Sequence, residues 1–287
     1  MPELPEVEAI RGFLHAHCLG LVVDQTHIVS FACLKTATIP VTALRGAEVI
    51  DVTRRGKFLG LRVGETWLVT HLARAGWLRW YDQVPTTVPR PGKTPIALRL
   101  RFTDGSGFDL TEAGTRQRLA VYLVHDLADV PGVATLGPEP MAPQFTPEVF
   151  DHILNDAGRA QIKGVLRDQR ILAGVGNAYS DEILWAAGLS PFAPAAGLDP
   201  TQRRRLYRAL KDTLEQAVGR THDVGVVGLK AEKKAGLAVH GRTGQPCPRC
   251  GGLIAEVSFA DSSLQYCPTC QTKGKVLADR RLSRLLK

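Results

Sequence analysis

Four cysteines near the C-terminus, Cys247, Cys250, Cys267 and Cys270, stand as C-x2-C, sixteen residues, C-x2-C. No other feature restricts the fold as tightly. Four thiolates in two such knuckles match a tetrahedral ribbon closed by one structural Zn2+. A pair of disulfides or a redox C-x-x-C is the alternative. A reducing compartment opposes the first, and a redox site needs only one pair. Cys18 and Cys33 stand alone and read as small core residues.

The chain ahead of the ribbon changes character once. Pro5 followed by Val7, Ile10, Leu14 and Cys18 at helical spacing predicts a first helix that closes at Gly20. Strand signals then dominate, in LVVDQTHIV, KFLGLRV, TWLVTHL, GWLRWY, IALRLRF, GFDLT and RLAVYLV. In PIALRLRF the apolar Ile96, Leu98, Leu100 and Phe102 alternate with Arg99 and Arg101, which predicts one apolar and one polar face. Residues 1–130 therefore read as a helix plus a β-sandwich or barrel. Five prolines in residues 131–147 mark a linker. Residues 148–243 carry four helical patterns, TPEVFDHILNDA, IKGVLRDQR, NAYSDEILWAAGLSP and PTQRRRLYRALKDTLEQAVG, followed by a Gly- and Lys-rich loop. The ribbon occupies residues 244–275 and a basic tail residues 276–287. The fold class is α+β.

Thirty-six Lys and Arg against 28 Asp and Glu give a net charge of +8 and a pI near 9.3, a balance that favours a polyanionic partner such as nucleic acid. The opening octet MPELPEVE holds three acids and no apolar stretch, so it is no secretory signal and points to a cytoplasmic protein. No run approaches the roughly 18 apolar residues of a membrane span.

Three constellations could carry chemistry. Loss of Met1 would expose Pro2 as a secondary amine, and an N-terminal amine titrates near 7.7–8.0, so a useful fraction is unprotonated at neutral pH. Such an amine can attack a sugar C1′ and yield an iminium electron sink, with Glu3 and Glu6 moving protons; alternatively, Glu3, Glu6 and Glu8 merely complement a helix dipole. The turn Gly174-Val175-Gly176 before Asn177 can hold a phosphate on backbone N–H groups, with Lys163 adding charge, or it is a tight helix corner capped by Asn177. RRGKFLG sets Arg54, Arg55 and Lys57 around a turn entering a strand, and His71 ends the strand that follows. A solvated charge cluster and a structural histidine are the bland readings of that pair.

MPELPEVE, RRGKFL, THLARAG, GVGNAYSDEIL and the four-cysteine ribbon, in that order over nearly the whole chain, resemble the formamidopyrimidine-DNA glycosylase and endonuclease VIII family of base-excision repair enzymes. The resemblance implies an N-terminal β-sandwich, a helix-two-turn-helix domain and a zinc hairpin, with damaged or abasic DNA as partner of a monomeric enzyme. It makes Pro2 the Schiff-base nucleophile, Glu3 the acid that protonates the opening sugar, Glu6 a second catalytic carboxylate and Lys57 a proton donor beside a phosphate. Lys163, Gly176 and Asn177 match the family's phosphate clamp, and His71 lies beside the stretch that faces the lesion.

The lesion-reading parts depart from the family. Ala73-Arg74-Ala75 replaces a glycine, methionine, serine stretch whose methionine fills the gap left by an everted base. TEAGTRQRLA replaces an arginine-phenylalanine loop that intercalates opposite the lesion, leaving Arg116 or Arg118 as substitutes. Ser262 stands where the hairpin presents an arginine to phosphate, with Arg242 or the LKAEKKAG stretch to compensate. The expected activity is a bifunctional glycosylase and abasic-site lyase of altered lesion range. A damaged-DNA binding protein that has lost turnover on the same scaffold is the alternative.

Overall fold

The computed structural model describes residues 1–92, 94–113, 117–222, 224–260 and 262–278 of the 287. Two compact units divide the chain: Met1–Leu136 with Arg220–Lys230, and Gly137–Gly219 with Ala231–Lys287. The return of residues 220–230 to the first unit has no counterpart in the sequence-based segmentation.

In the first unit, helix α1 (Leu4–Cys18) precedes strands β1 (Val23–Ile28), β2 (Val49–Arg55), β3 (Phe58–Val63), β4 (Thr66–His71), β5 (Gly76–Tyr81), β6 (Ile96–Phe102), β7 (Gly107–Glu112) and β8 (Ala120–Val124). They form two antiparallel four-stranded sheets, ordered β1-β6-β7-β5 and β2-β3-β4-β8. The β-sandwich expected from the strand-rich half is present. One core unites α1 (Val7, Ile10, Leu14), both sheets, and Val226 with Leu229 of the returning segment.

Two local expectations differ. β2 was not anticipated, because EVIDVTRR carries an acid at Asp51, where the β2–β3 register slips, and two arginines at its end. Arg99 does not face water: it is 6% exposed, and its guanidinium grips Asp109 of β7 through two bonds of 2.7 and 2.8 Å. Its remaining arm donates to the carbonyls of Pro85 and Thr87, so the Pro-rich stretch after β5 is drawn over that face. A planar fork satisfied on both sides is what lets an arginine sit inside.

A short helix α2 (Pro131–Ala134) lies in the first unit; the second holds α3 (Pro147–Asp156), α4 (Ile162–Arg167), α5 (Asn177–Ala187) and most of α6 (Pro200–Thr221) and α7 (Leu229–Gly236), whose ends at residues 220–221 and 229–230 belong to the first. The stretch LKAEKKAG, read as loop, is α7. Its Gly sits only at the C-terminal end, where glycine ends helices. Strands β9 (Ala255–Ser258) and β10 (Ser263–Tyr266) form the hairpin of the ribbon, and α8 (Pro268–Thr272) closes it. Among the described residues no helix is long and apolar enough to cross a membrane.

Candidate active site and metal centre

Pro2 is buried at the head of α1, while Met1 is 47% exposed. Glu3 and Glu6 are 2% and 1% exposed. The Glu3 backbone N–H donates to Glu6 Oε2 at 2.8 Å, so Glu6 holds the extended N-terminal residues onto the first turn. This gives Glu6 a positioning contact that the octet alone did not reveal.

The third acid of the octet has a separate task. Glu8 accepts from Arg54 Nε at 2.8 Å and Arg11 Nε at 2.7 Å. Burial opposes its ionisation, yet the bonds and charges of Arg54 and Arg11 hold its carboxyl below the usual carboxylate value. Arg54 Nη1 also donates to the Gly56 carbonyl at 2.9 Å. Gly56 takes a φ of +55°, a left-handed conformation cheap only without a side chain. Helix α1 thereby braces the β2–β3 turn from which Lys57, 7% exposed, leads into β3. Arg54, which the sequence places in a charge cluster around this turn, is no solvated face but part of that brace.

Phe58 pairs across the sheet with His71, their rings 4.7 Å apart. Burial, and then the charge of Lys57, lower the His71 pKa to about 4, so the ring is neutral at physiological pH. Beyond it the chain turns sharply: Gly76 N–H donates to the Leu72 carbonyl at 2.8 Å, and a Cβ at Gly76 would lie 2.2 Å from that oxygen. Ala73 is held at φ +50°, an uncommon conformation for alanine, and the turn presents Arg74 to solvent. Across the sandwich the Glu112 carboxylate accepts the N–H groups of Arg118 and Leu119 at 2.8 and 2.9 Å, closing the β7–β8 loop and leaving the Arg118 side chain exposed. Arg116 lies outside the described residues.

In the second unit the glycine turn is folded by Gln169, which sequence reasoning passed over. Its side chain donates to the Val175 carbonyl at 2.7 Å and accepts from Gly174 N–H at 2.9 Å. Gly176 occupies the N-cap of α5. Asn177 is not the cap; its Nδ2 donates to the Ser263 carbonyl at 2.7 Å and ties α5 to the hairpin.

Lys163 is 4% exposed, and its ammonium donates to the Asn177 carbonyl (3.1 Å), Ser180 Oγ (2.7 Å) and Asp181 Oδ1 (2.6 Å). An ammonium has three protons, and these contacts use three. The expected phosphate contact is therefore not what this side chain makes here. Asp181 Oδ2 meets His240 Nδ1 at 2.7 Å and the Gln265 N–H at 3.1 Å. Glu182 accepts the N–H groups of Ala238, Val239 and His240 at 2.7 to 2.9 Å. Two adjacent acids in the apolar helix sequence NAYSDEILW were the signal for this buried junction. Arg242 donates to the Ala235 carbonyl at the end of α7, at 3.3 Å. At the hairpin tip the Phe259 N–H meets the Ser262 carbonyl at 2.8 Å.

The four ribbon sulfurs all lie within 4.8 Å of one another, with 3.9 Å between Cys247 and Cys270 and 3.4 Å between Cys250 and Cys267. A tetrahedron with Zn–S bonds of about 2.3 Å has S···S edges of about 3.8 Å, so the thiols fit one zinc ion. Burial disfavours the charged form of Cys247, but the N–H of Arg249, the Trp185 indole and the N–H of Cys250 bring its thiol down to about 6. Burial and the neighbouring sulfurs push Cys270 up. Four thiolates at this spacing need a cation among them, and the zinc is structural, because no coordination position is left open.

Matches to known proteins agree with this geometry. The N-terminal domain of formamidopyrimidine-DNA glycosylase matches residues 1–121, the H2TH domain of the same enzyme residues 136–226, and the zinc finger found in FPG and IleRS residues 244–273. A formamidopyrimidine-DNA glycosylase of Thermus thermophilus is 36% identical over 282 residues, covering 96% of this chain and 100% of that protein. An uncharacterized formamidopyrimidine-DNA glycosylase-like protein of Mycobacterium tuberculosis is 51% identical over 161 residues, 56% of this chain and 100% of that protein. The structure of Lactococcus lactis Fpg in complex with an abasic site containing DNA superimposes with a TM-score of 0.83 at 26% identity, covering 94% of this chain and 99% of that one. With its sandwich, H2TH helices and four-cysteine ribbon in one order, the chain belongs to the formamidopyrimidine-DNA glycosylase family of base-excision repair proteins.

Proposed function

We propose that the protein is a DNA glycosylase and abasic-site lyase that acts through the Pro2 amine on damaged or abasic DNA. The observation that carries this reading is the buried head of α1, where Glu6 holds the residue next to Pro2 and Glu3 is packed beside it. Once Met1 is removed, the Pro2 nitrogen attacks C1′ and the C1′–N bond to the base breaks. Glu3 gives a proton to the sugar oxygen as the ring opens, leaving an iminium between Pro2 and C1′. Loss of a C2′ proton into that electron sink expels the 3′ phosphate, and water releases the remaining sugar from Pro2. Lys57 supplies positive charge beside the reacting sugar, and the neutral His71 adds a ring that accepts or donates one hydrogen bond without adding to that charge.

The lesion range is altered. Arg74 at the tip of a strained turn is a cation where an apolar wedge would be expected, and long cationic chains prefer phosphate and water to a base stack. Holding open an intact 8-oxoguanine pair costs a few kcal/mol of unstacking, whereas an abasic site costs less.

Borohydride reduction of the protein on abasic DNA tests the mechanism. Covalent trapping requires an exposed Pro2 and is lost with Met1 retained, while binding persists; full trapping with Met1 in place would refute the amine mechanism. Single-turnover cleavage at abasic sites should exceed excision of 8-oxoguanine by at least about tenfold, about 1.4 kcal/mol of transition-state stabilisation. Equal rates would remove the altered range.

A further inference from the structure

The β-sandwich contains a cavity of about 310 Å³ walled by described residues of three separate stretches, among them Val29–Phe31, Thr94–Ala97, and Glu112 with Gln117. Hydrogen bonds join the walls pairwise. The N–H groups of Val29 and Ser30 both donate to the Ala97 carbonyl, at 2.9 and 3.1 Å, and Glu112 N–H donates to the Pro95 carbonyl at 2.7 Å. Ser30 Oγ donates to Gln117 Oε1 at 3.3 Å. The floor is apolar, with Cys33, Ala97 and Leu119 each buried. Two of the three joins are thus backbone to backbone, and the third is made by the Ser30 and Gln117 side chains.

Phe31 stands at the rim and is 79% exposed. Among the described residues it is the one aromatic side chain in the set of exposed large apolar groups, the others being Met, Leu, Ile and Val. Leaving a phenyl ring in water forgoes about 1.5–3 kcal/mol of burial, and nothing in the first unit covers this one. The electrostatics around it are one-sided. The described residues of these stretches carry three cations, Lys35, Arg90 and Arg118, and one acid, Glu112. That acid is 5% exposed and occupied by two N–H groups. Lys35, Arg90 and Arg118 are exposed, while Lys93 and Arg116 lie outside the described residues.

An uncovered aromatic ring, a cavity at the lower limit of the range for small-ligand pockets, and a cationic rim call for a flat ring attached to a polyanion. We propose that this cavity is a nucleobase subsite: it takes one unpaired base of the bound DNA, stacked on Phe31, while the exposed cations meet the adjoining phosphates. The occupant is the base left without a partner opposite an abasic position, because an orphaned base costs least to unstack. The proposal rests on the DNA-glycosylase reading above and adds to it a contact on the undamaged strand.

The test places 2-aminopurine opposite a tetrahydrofuran abasic analogue in a duplex and follows its fluorescence on titration with the full-length protein. The wild type should change the fluorescence, and Phe31→Ala should lose most of the change and bind about five- to tenfold more weakly. Phe31→Tyr should retain both. The ring is largely in solvent, so an unchanged thermal midpoint verifies that Phe31→Ala is folded. Equal amplitude and affinity for wild type and Phe31→Ala, or no fluorescence change with the wild type, overturns the subsite. Borohydride trapping separates the two readings: it should survive in Phe31→Ala, and its absence in the wild type would refute the lyase while leaving a Phe31-dependent fluorescence change intact.

Discussion

Replacing Lys163 with Met decides between two roles for one side chain. As a phosphate clamp, Lys163 would contribute one counterion to the salt dependence of DNA binding and little to folding. As the structure has it, the Lys163 and Asp181 side chains are 5% and 1% exposed and 2.6 Å apart, and the ammonium also serves Ser180 and the Asn177 carbonyl. Removing one partner of a buried pair costs about 3–5 kcal/mol, because the remaining charge keeps its desolvation penalty. Asp181 would retain His240 and the Gln265 N–H on its second oxygen, which places the loss toward the lower end. With a urea slope of about 2 kcal/mol per molar, the unfolding midpoint should fall by about 1.5 M. Zinc release during the titration reports this unit alone, since the ribbon lies in it, and the logarithmic salt slope of DNA binding at low urea should keep its wild-type value. A midpoint unchanged within about 0.3 M, together with a slope reduced by about one, would show that the side chain faces phosphate and that the buried network is not its role.

Three further outcomes are expected. Because His71 is lowered from 6.5 to about 4, the unfolded chain takes up the proton first as pH falls; stability is intact above about 6.5 and declines toward 4, by up to about 3 kcal/mol. His71→Asn should flatten that part of the pH–stability curve, and Lys57→Met should raise the His71 titration midpoint seen by NMR. Glu8→Gln weakens the hold of α1 on Arg54 and hence on the turn carrying Lys57, so single-turnover cleavage should slow by roughly tenfold, about 1.4 kcal/mol, with DNA affinity unchanged within about twofold; an equal loss in both would refute a positioning role. Metal analysis should find one zinc per chain, and Cys267→Ser should lose it along with the exchange protection of the β9–β10 hairpin.

What was legible in the sequence was local. The ribbon spacing, the periodicity of α1, α3, α5 and α6, and the β-branched runs of the sandwich are each set within a few residues, so pattern alone finds them. What escaped depends on pairing that the local pattern does not show, much of it with partners far along the chain. Glu8 is 46 residues from Arg54, Asp181 is 59 from His240, and Arg101 is 77 from Asp24. β2 hid behind its acid and arginines because its sheet neighbour β3, not its own pattern, satisfies it. Pairing inside the fold also corrects the reading of charge. A net charge of +8 suggests many phosphate contacts, yet Arg54, Arg99, Arg101 and Lys163 are bound to carboxylates of the fold, and Arg249 lies over Trp185 while capping the end of α5. Cations committed in this way cannot release counterions on DNA binding. If the proposed DNA binding holds, the salt slope would fall to exposed cations such as Arg74 and Arg118, which stand on two of the turns where the sequence leaves the family pattern. The scaffold is thus held by paired charges, and the lesion range proposed above would rest on exposed charges on turns that can change without disturbing the fold.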